Sequence, residues 1–335
     1  MYPYGVGETG MLNMLILEIL EVYSDCEHRL TQADIIKLLD NNYGIRCDRR
    51  TIKSNIVSLI KLGYDISLKG GYYLIDRTFD NAELRLLIDS VLFAKGITQA
   101  QAKRLIDKLE GLGNRYFHAK VRHIHKLPEL QHSDNAAVMH SLDTLNDALE
   151  QGKKISFIYN SYGTDFKLHP RKEHEYIVSP YDMVANNGHF YLIGNYDKYD
   201  NLSHYRIDRM TGVRILDEPV KQRKEIKDFE QGYNLPKHMA EHIYMYSGES
   251  VQVKFWTYES MMDQLIDWFG RDFRIIDKDE EDILVSVRCN KEAFICWALQ
   301  YGRFVEVVAP MTLREELRNI IDEMYKVYHT EEGTS

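Results

Sequence analysis

The hydrophobic periodicity of this chain changes along its length, and that change constrains the fold most. Up to about residue 150 the apolar residues recur mainly at helical spacing. Beyond it short β-branched and aromatic runs come first and then alternate with helical stretches. Neither one helical bundle nor one barrel can satisfy both periods, so a multidomain α+β protein is expected. The 335 residues also exceed what one core usually supports, which points to two or three domains.

After a glycine-rich lead over 1–10, expected to be disordered, Leu12, Leu15, Ile16, Ile19 and Leu20 predict one amphipathic helix. Thr31, with Asp34 three residues on, predicts the start of a second. Asp48 caps a third, from Arg49 to Leu62, whose buried stripe is Ile52, Ile56, Leu59 and Ile60. Its opposite face carries Arg50, Lys53, Ser54, Val57 and Lys61, with Arg49 in the first turn. Asp65 to Lys69, Gly70-Gly71 and Tyr72 to Ile75 read as a hairpin with Lys69 at its tip.

Charge makes this segment distinctive. The whole chain has a net charge of −9 and should be repelled by nucleic acid. Between Gly44 and Arg77, however, seven basic residues face three acids, a local +4. A basic, hydroxyl-bearing third helix followed by a wing suits the major groove, where Arg and Lys reach phosphates and guanine edges. The order resembles the winged helix-turn-helix of DeoR-like bacterial regulators. The resemblance rests on Arg49-Arg-Thr-Ile-Lys-Ser-Asn-Ile-Val-Ser-Leu and the exit Leu62-Gly63-Tyr64. It implies that Arg49, Arg50, Thr51, Lys53 and Ser54 face DNA. The expected domain is 11–78 and its partner a double-stranded operator. The plain alternative is a small helical domain with a solvated polar face.

A helical connector over 79–135 follows, with one amphipathic helix from Phe79 to Gly96 and another from Thr98 to Leu112. It suits either a homodimer contact or an intramolecular core. His118, His123 and His125 invite a metal reading, but no acidic or cysteine partner stands at ligand spacing. Cys26, Cys47, Cys289 and Cys296 form no C-x-x-C pair, so reduced thiols in a cytoplasmic protein are expected, with no metal and no cofactor. No apolar run is long enough to span a membrane.

A helix from Ala136 to Glu150 leads into strand-like runs at Lys154–Tyr159, Glu175–Tyr181, His189–Ile193 and Ser203–Asp208, with an Asn186-Asn-Gly188 turn. Short strands at this spacing suggest a small bent sheet or barrel. Val178-Ser-Pro180-Tyr181, Gly188-His-Phe190-Tyr191-Leu192-Ile-Gly194 and His204-Tyr-Arg206-Ile-Asp208-Arg209-Met210 resemble a WYL domain. Phe190 stands at the tryptophan position that gives the family the first letter of its name. The resemblance implies an Sm-like barrel over 136–217 and a ligand site of Tyr191, His204, Arg206 and Arg209, with Tyr159 as an addition. Guanidiniums bind phosphate bidentately and tyrosines stack on bases, so an anionic nucleotide or oligonucleotide effector is expected. Arg206 and Arg209 converge only if the strand ends or bulges near Asp208; the alternative is that Asp208 and nearby acids simply pair with them.

Residues 218–249 read as a linker. From 250 to 330 the order strand, helix, two strands, helix, strand, helix suggests a ferredoxin-like unit and resembles the extension found after WYL domains. Nine acids and three bases between Glu259 and Asp282 keep that surface away from DNA. The chain has no G-x-S-x-G, phosphate loop or H-E-x-x-H. A ligand-responsive transcriptional regulator, not an enzyme, is therefore the leading expectation. The alternative is a nucleic-acid-processing or accessory protein using the WYL-like site.

Overall fold

The structure, a computed structural model, describes residues 11–117, 132–230 and 232–329. The chain divides into two compact units, Met1–Ala136 and Ala137–Ser335.

In the first unit, α1 (Leu12–Tyr23), α2 (Gln32–Tyr43) and α3 (Arg49–Lys61) surround a core that includes Ile16, Ile19, Leu20, Ile35, Leu39, Ile52 and Ile56. The helix starts are set by local hydrogen bonds. Thr31 Oγ1 accepts the Asp34 N–H at 3.2 Å, and Asp34 Oδ2 accepts the Thr31 N–H at 2.8 Å. Asp48 Oδ1 accepts the Thr51 N–H at 2.7 Å. β1 (Ile66–Ser67) and β2 (Tyr73–Leu74) pair antiparallel, and Leu30 adds a bridge to Tyr72. That bridge brings the backbone of Arg29 against Gly71. A Cβ on Gly71 would lie 2.8 Å from the Arg29 Cβ, and its φ of +123° favours glycine independently. α4 (Asn81–Leu92) and α5 (Gln99–Glu110) then pack through Leu84, Ile88 and Ile106, together with Phe117. α4 is shorter than its apolar spacing predicts. A capping box of Asp80 with Glu83 fixes its start, while Phe79, just outside it, still packs on this core.

The second unit opens with α6 (Val138–Gln151). Six strands follow: β3 (Lys153–Tyr162), β4 (Leu168–Pro170), β5 (Tyr176–Asn186), β6 (His189–Tyr196), β7 (Leu202–Arg206) and β8 (Met210–Pro219). β3 pairs with β5 on one edge and β8 on the other, so the order across the sheet is β8-β3-β5-β6-β7, with β4 continuing the β5 edge. β7 and β8 thus lie at opposite ends of the sheet, yet only the 3₁₀ turn Ile207–Arg209 joins them. Four strand spacings of about 4.8 Å would put those ends ~19 Å apart in a flat sheet, beyond the reach of three residues at ~3.5 Å each. The sheet must curl until its ends meet. Gly194 helps it do so: opposite Pro180, a Cβ there would lie 2.6 Å from Val178 Cγ1. Phe157, Tyr159, Tyr176 and Tyr205 fill the interior, and Phe190 packs against the same core.

The stretch expected to be a linker carries regular structure among its described residues. It holds a one-turn helix at Lys227–Glu230 and α7 (Leu235–Glu241). Its Ile226, Phe229, Leu235, Met239 and Met245 pack on Tyr181, Ile193 and Leu202 of the sheet's outer face. Those apolar residues are spread singly among charges, so no sequence period reveals them. A second sheet follows, formed from β9 (Ser250–Tyr258), α8 (Met262–Phe269), β10 (Phe273–Asp279), β11 (Asp282–Asn290), α9 (Lys291–Gln300), β12 (Glu306–Ala309) and α10 (Met311–His329). Its strands run antiparallel in the order β10-β11-β9-β12 over a core including Phe255, Phe269, Phe294 and Trp297. No helix among the described residues is long and apolar enough to cross a membrane.

Candidate functional site

Three clusters could carry function. The first is the polar face of α3. With Ile52, Ile56 and Leu59 buried, helical geometry turns Arg49, Arg50, Lys53 and Ser54 outward, and all four are exposed; Ile60, expected in the same stripe, is exposed too, near the end of the helix. Thr51 lies half-buried, beside the Asp48 cap. Lys69 is exposed next to the hairpin turn, where its carbonyl accepts a 2.8 Å hydrogen bond from Arg29 Nη1. Arg29 was not legible from periodicity; its guanidinium lies 5.3 Å from the Tyr73 ring centroid. Two members of the basic segment are used elsewhere. Arg77 donates to the carbonyls of Leu20, Glu21 and Ser24 at the end of α1, and Arg46 pairs with Asp40 at 3.4 Å. The outward charge is therefore smaller than the sequence count.

The second cluster lies where the curled sheet meets itself. β7 ends at Arg206, and the following turn carries Asp208 and Arg209. Arg206 grips Asp208 with two hydrogen bonds, Nε to Oδ1 at 3.1 Å and Nη2 to Oδ2 at 2.7 Å. His189 Nδ1 lies 3.0 Å from the same Nη2. β3 ties the seam from the other side: Tyr159 Oη accepts the Arg206 N–H at 3.2 Å, and Asn160 Nδ2 donates to the Arg209 carbonyl at 2.9 Å. Arg209 Nε is buried without a hydrogen-bond partner among the described residues. Tyr191 faces Arg206 across β6 and β7. Burial raises the pKa of both Tyr159 and Tyr191, while both guanidiniums pull them back down. The two arginines thus act on the same two phenols. Arg206 is itself drawn down by burial and more than restored by Asp208.

His204 joins a different group. Although it shares a face of β7 with Arg206, its Nε2 lies 2.8 Å from His238 Nε2 on α7. The ring of His242 stacks on His238 with centroids 4.1 Å apart. A sequence signal for this third cluster existed in the His238-x-x-x-His242 spacing. It pointed nowhere without a third residue, and that residue lies 34 positions upstream. His118, His123 and His125 lie outside the described residues.

Comparison with known proteins agrees with the geometry of the middle segment. The family model for the WYL domain matches residues 140–215, and that for the WCX domain matches 249–325. The chain thus carries a WYL-type region followed by a WCX-type region. Its WYL region covers α6 to β8 up to Ile215 and therefore contains the seam, and its WCX region covers the second sheet and most of α10. The chain is 23% identical over 193 residues to the uncharacterized HTH-type transcriptional regulator YobV of Bacillus subtilis (strain 168), a match spanning 56% of each chain. Just over half the length of that curated relative is thus covered. Among solved structures, proteasome accessory factor B/C of Arthrobacter aurescens matches at 15% identity and a TM-score of 0.29, over 98% of this chain and 52% of that one. A CRISPR Cas-related protein matches at 17% identity and a TM-score of 0.40, over 76% and 75%. TM-scores of this size carry no structural argument.

Proposed function

We propose that this protein is a transcriptional regulator. It binds duplex DNA through the α3 face and the adjoining hairpin, and it senses an anionic ligand at the seam of the curled sheet. The observation that carries the first half is the exposed row Arg49, Arg50, Lys53 and Ser54 on a capped third helix, followed by a two-stranded hairpin. That order, and the likeness to an HTH-type regulator, support reading residues 11–78 as a winged helix-turn-helix and 79–135 as its connector. The WYL match supports reading 136–217 as an Sm-like barrel, and the sheet order of the last segment supports a ferredoxin-like fold over 250–330. The protein then works in the cytoplasm as a homodimer on a two-fold operator.

The seam supports an anion reading through Arg209. With Arg206 held by Asp208, the cluster Arg206, Asp208 and Arg209 keeps one net positive charge, and the Arg209 Nε keeps an unused donor that a phosphate or carboxylate could take. Tyr191 would flank that anion, with Tyr159 holding the Arg206 backbone behind it.

The DNA half is tested by fluorescence anisotropy with a mixed-sequence duplex across a salt series. Arg50→Ala with Lys53→Ala should weaken binding and flatten the slope of log affinity against log salt by about 1.8, close to 0.9 for each phosphate no longer neutralised. Unchanged affinity and slope would move the interface off α3. The sensing half is tested by thermal shift with nucleoside phosphates and short single strands. Stabilisation by one of these that disappears in Arg209→Gln supports the seam; stabilisation that Arg209→Gln leaves intact places the effector elsewhere.

A further inference from the structure

We propose that His204, His238 and His242 form a binding site for one divalent transition-metal ion of the Zn²⁺ class, with a fourth position open to a neighbouring cavity. The site goes beyond the regulatory reading and stands or falls independently of it.

One ligand nitrogen from each of the three histidines can be chosen so that all lie within 4.8 Å of one another. The fold brings them there from two directions. His238 and His242 sit four residues apart, on one turn of α7 and at its closing residue, and so project from one side. His204 comes from β7, the strand that α7 covers. His238 and His242 are buried and His204 is half-buried. No carboxylate is bonded to any of the three rings among the described residues. Three basic groups packed together in this way are poorly explained by charge, since each disfavours protonation of the others. Burial, and then the neighbouring imidazoles, push His204 well below its ordinary value; burial and His242 push His238 down to about 3. His204 and His238 are thereby held toward the neutral form, in which imidazole donates a lone pair to a metal.

The surrounding shell orients them as ligands. His242 Nδ1 lies 2.8 Å from the His238 carbonyl, which makes Nδ1 the protonated nitrogen and leaves Nε2 its lone pair. Ser247 Oγ lies 3.5 Å from His204 Nδ1 and accepts the His204 backbone N–H at 3.1 Å, placing His204 Nε2 toward the cluster. His204 Nε2 and His238 Nε2, at 2.8 Å, are somewhat closer than two nitrogens on a tetrahedral zinc. At ~2.0–2.1 Å from the ion those would stand about 3.3–3.4 Å apart. Loading the site needs the two rings to part by roughly half an ångström, a small rotation about their side-chain torsions.

Three imidazoles without a thiolate select a borderline ion over Mg²⁺ or Ca²⁺, which take oxygen ligands. A set of three protein ligands leaves one tetrahedral position for water or an added ligand. Here His238 and His242 also line a cavity of about 600 Å³, together with Tyr233, Lys237 and Arg288. An ion bound here would pin α7 to β7, two residues from Arg206.

The test uses the full chain without an affinity tag, stripped with chelator and dialysed against ZnCl₂. Elemental analysis should find one zinc per chain in the wild type and essentially none in His238→Asn or His242→Asn. A cobalt(II)-loaded wild type, which needs no variant to fold, should show tetrahedral d–d absorption without thiolate charge transfer. A wild type that retains no stoichiometric zinc overturns the proposal. So does zinc retained in both variants, or a thiolate band that assigns the ion to cysteines.

Discussion

The two cationic regions of this protein hold their charge in opposite ways. On α3 the guanidiniums stand in solvent, on a helix whose stability comes from Ile52, Ile56 and Leu59 on its other side. At the seam the Arg206 guanidinium is mostly buried and locked to an almost fully buried Asp208. The first arrangement separates binding from folding: each exposed charge can change without touching the core. The second couples them, because a buried charge is tolerable only while its partner remains. A DNA interface that must slide and exchange phosphates suits the first, and a site that must hold one geometry for a ligand suits the second.

Five measurements can break or sharpen this contrast. The largest effect should come from Arg206→Ala, which takes the guanidinium away from the Asp208 carboxylate, 2% exposed. Denaturant titration should show a loss of about 3–5 kcal/mol, as for buried pairs broken on one side. A loss below ~1 kcal/mol would mean that Asp208 finds water or another partner, and the seam would then resemble α3. Arg77→Ala should follow, at about 2 kcal/mol, since three carbonyls at the end of α1 lose a charged donor. A neutral result there would return Arg77 to the exposed basic set.

Smaller effects belong to local features. Thr31→Ala should cost about 1 kcal/mol near neutral pH by removing the α2 cap. The Thr31 hydroxyl and N–H hold the Asp34 carboxyl below its ordinary 3.8. That contribution is present above the unfolded value and fades as pH falls through the lower folded one, so wild type and Asp34→Asn should converge in stability toward acid pH. A gap unchanged by acid would show that the box is not closed in solution. Last, Arg50→Ala with Lys53→Ala should leave stability within ~0.5 kcal/mol while weakening DNA binding. A clear stability loss would show that the α3 charges are structural after all.

The legible parts of this chain were those where neighbours in sequence decide the outcome. The Thr31 and Asp48 caps, the Ile52–Ile56–Leu59 stripe, the Gly70-Gly71 hairpin and the element order after residue 250 were readable because a helix turn or strand pleat repeats every few residues. They determined mixed α and β architecture and which side of α3 is wet. Residues 218–249 concealed α7 because its apolar side chains are spaced irregularly among charges, and only the finished sheet offers them a surface.

The tertiary structure decided which of the open pairings of charges and histidines form. Sequence could say that Arg206 and Arg209 converge only if the strand stops. Closure of the sheet decided that it stops at Arg206 and that Arg206 turns to Asp208. Sequence likewise placed Arg77 in a basic patch, where folding turned it to the end of α1, and placed His204 with Arg206, where folding gave it to His238 and His242. Arg77 and the end of α1, like His204 and His238, are separated by tens of positions and meet at a cost in loop closure that only the whole core repays, so no local pattern can announce them.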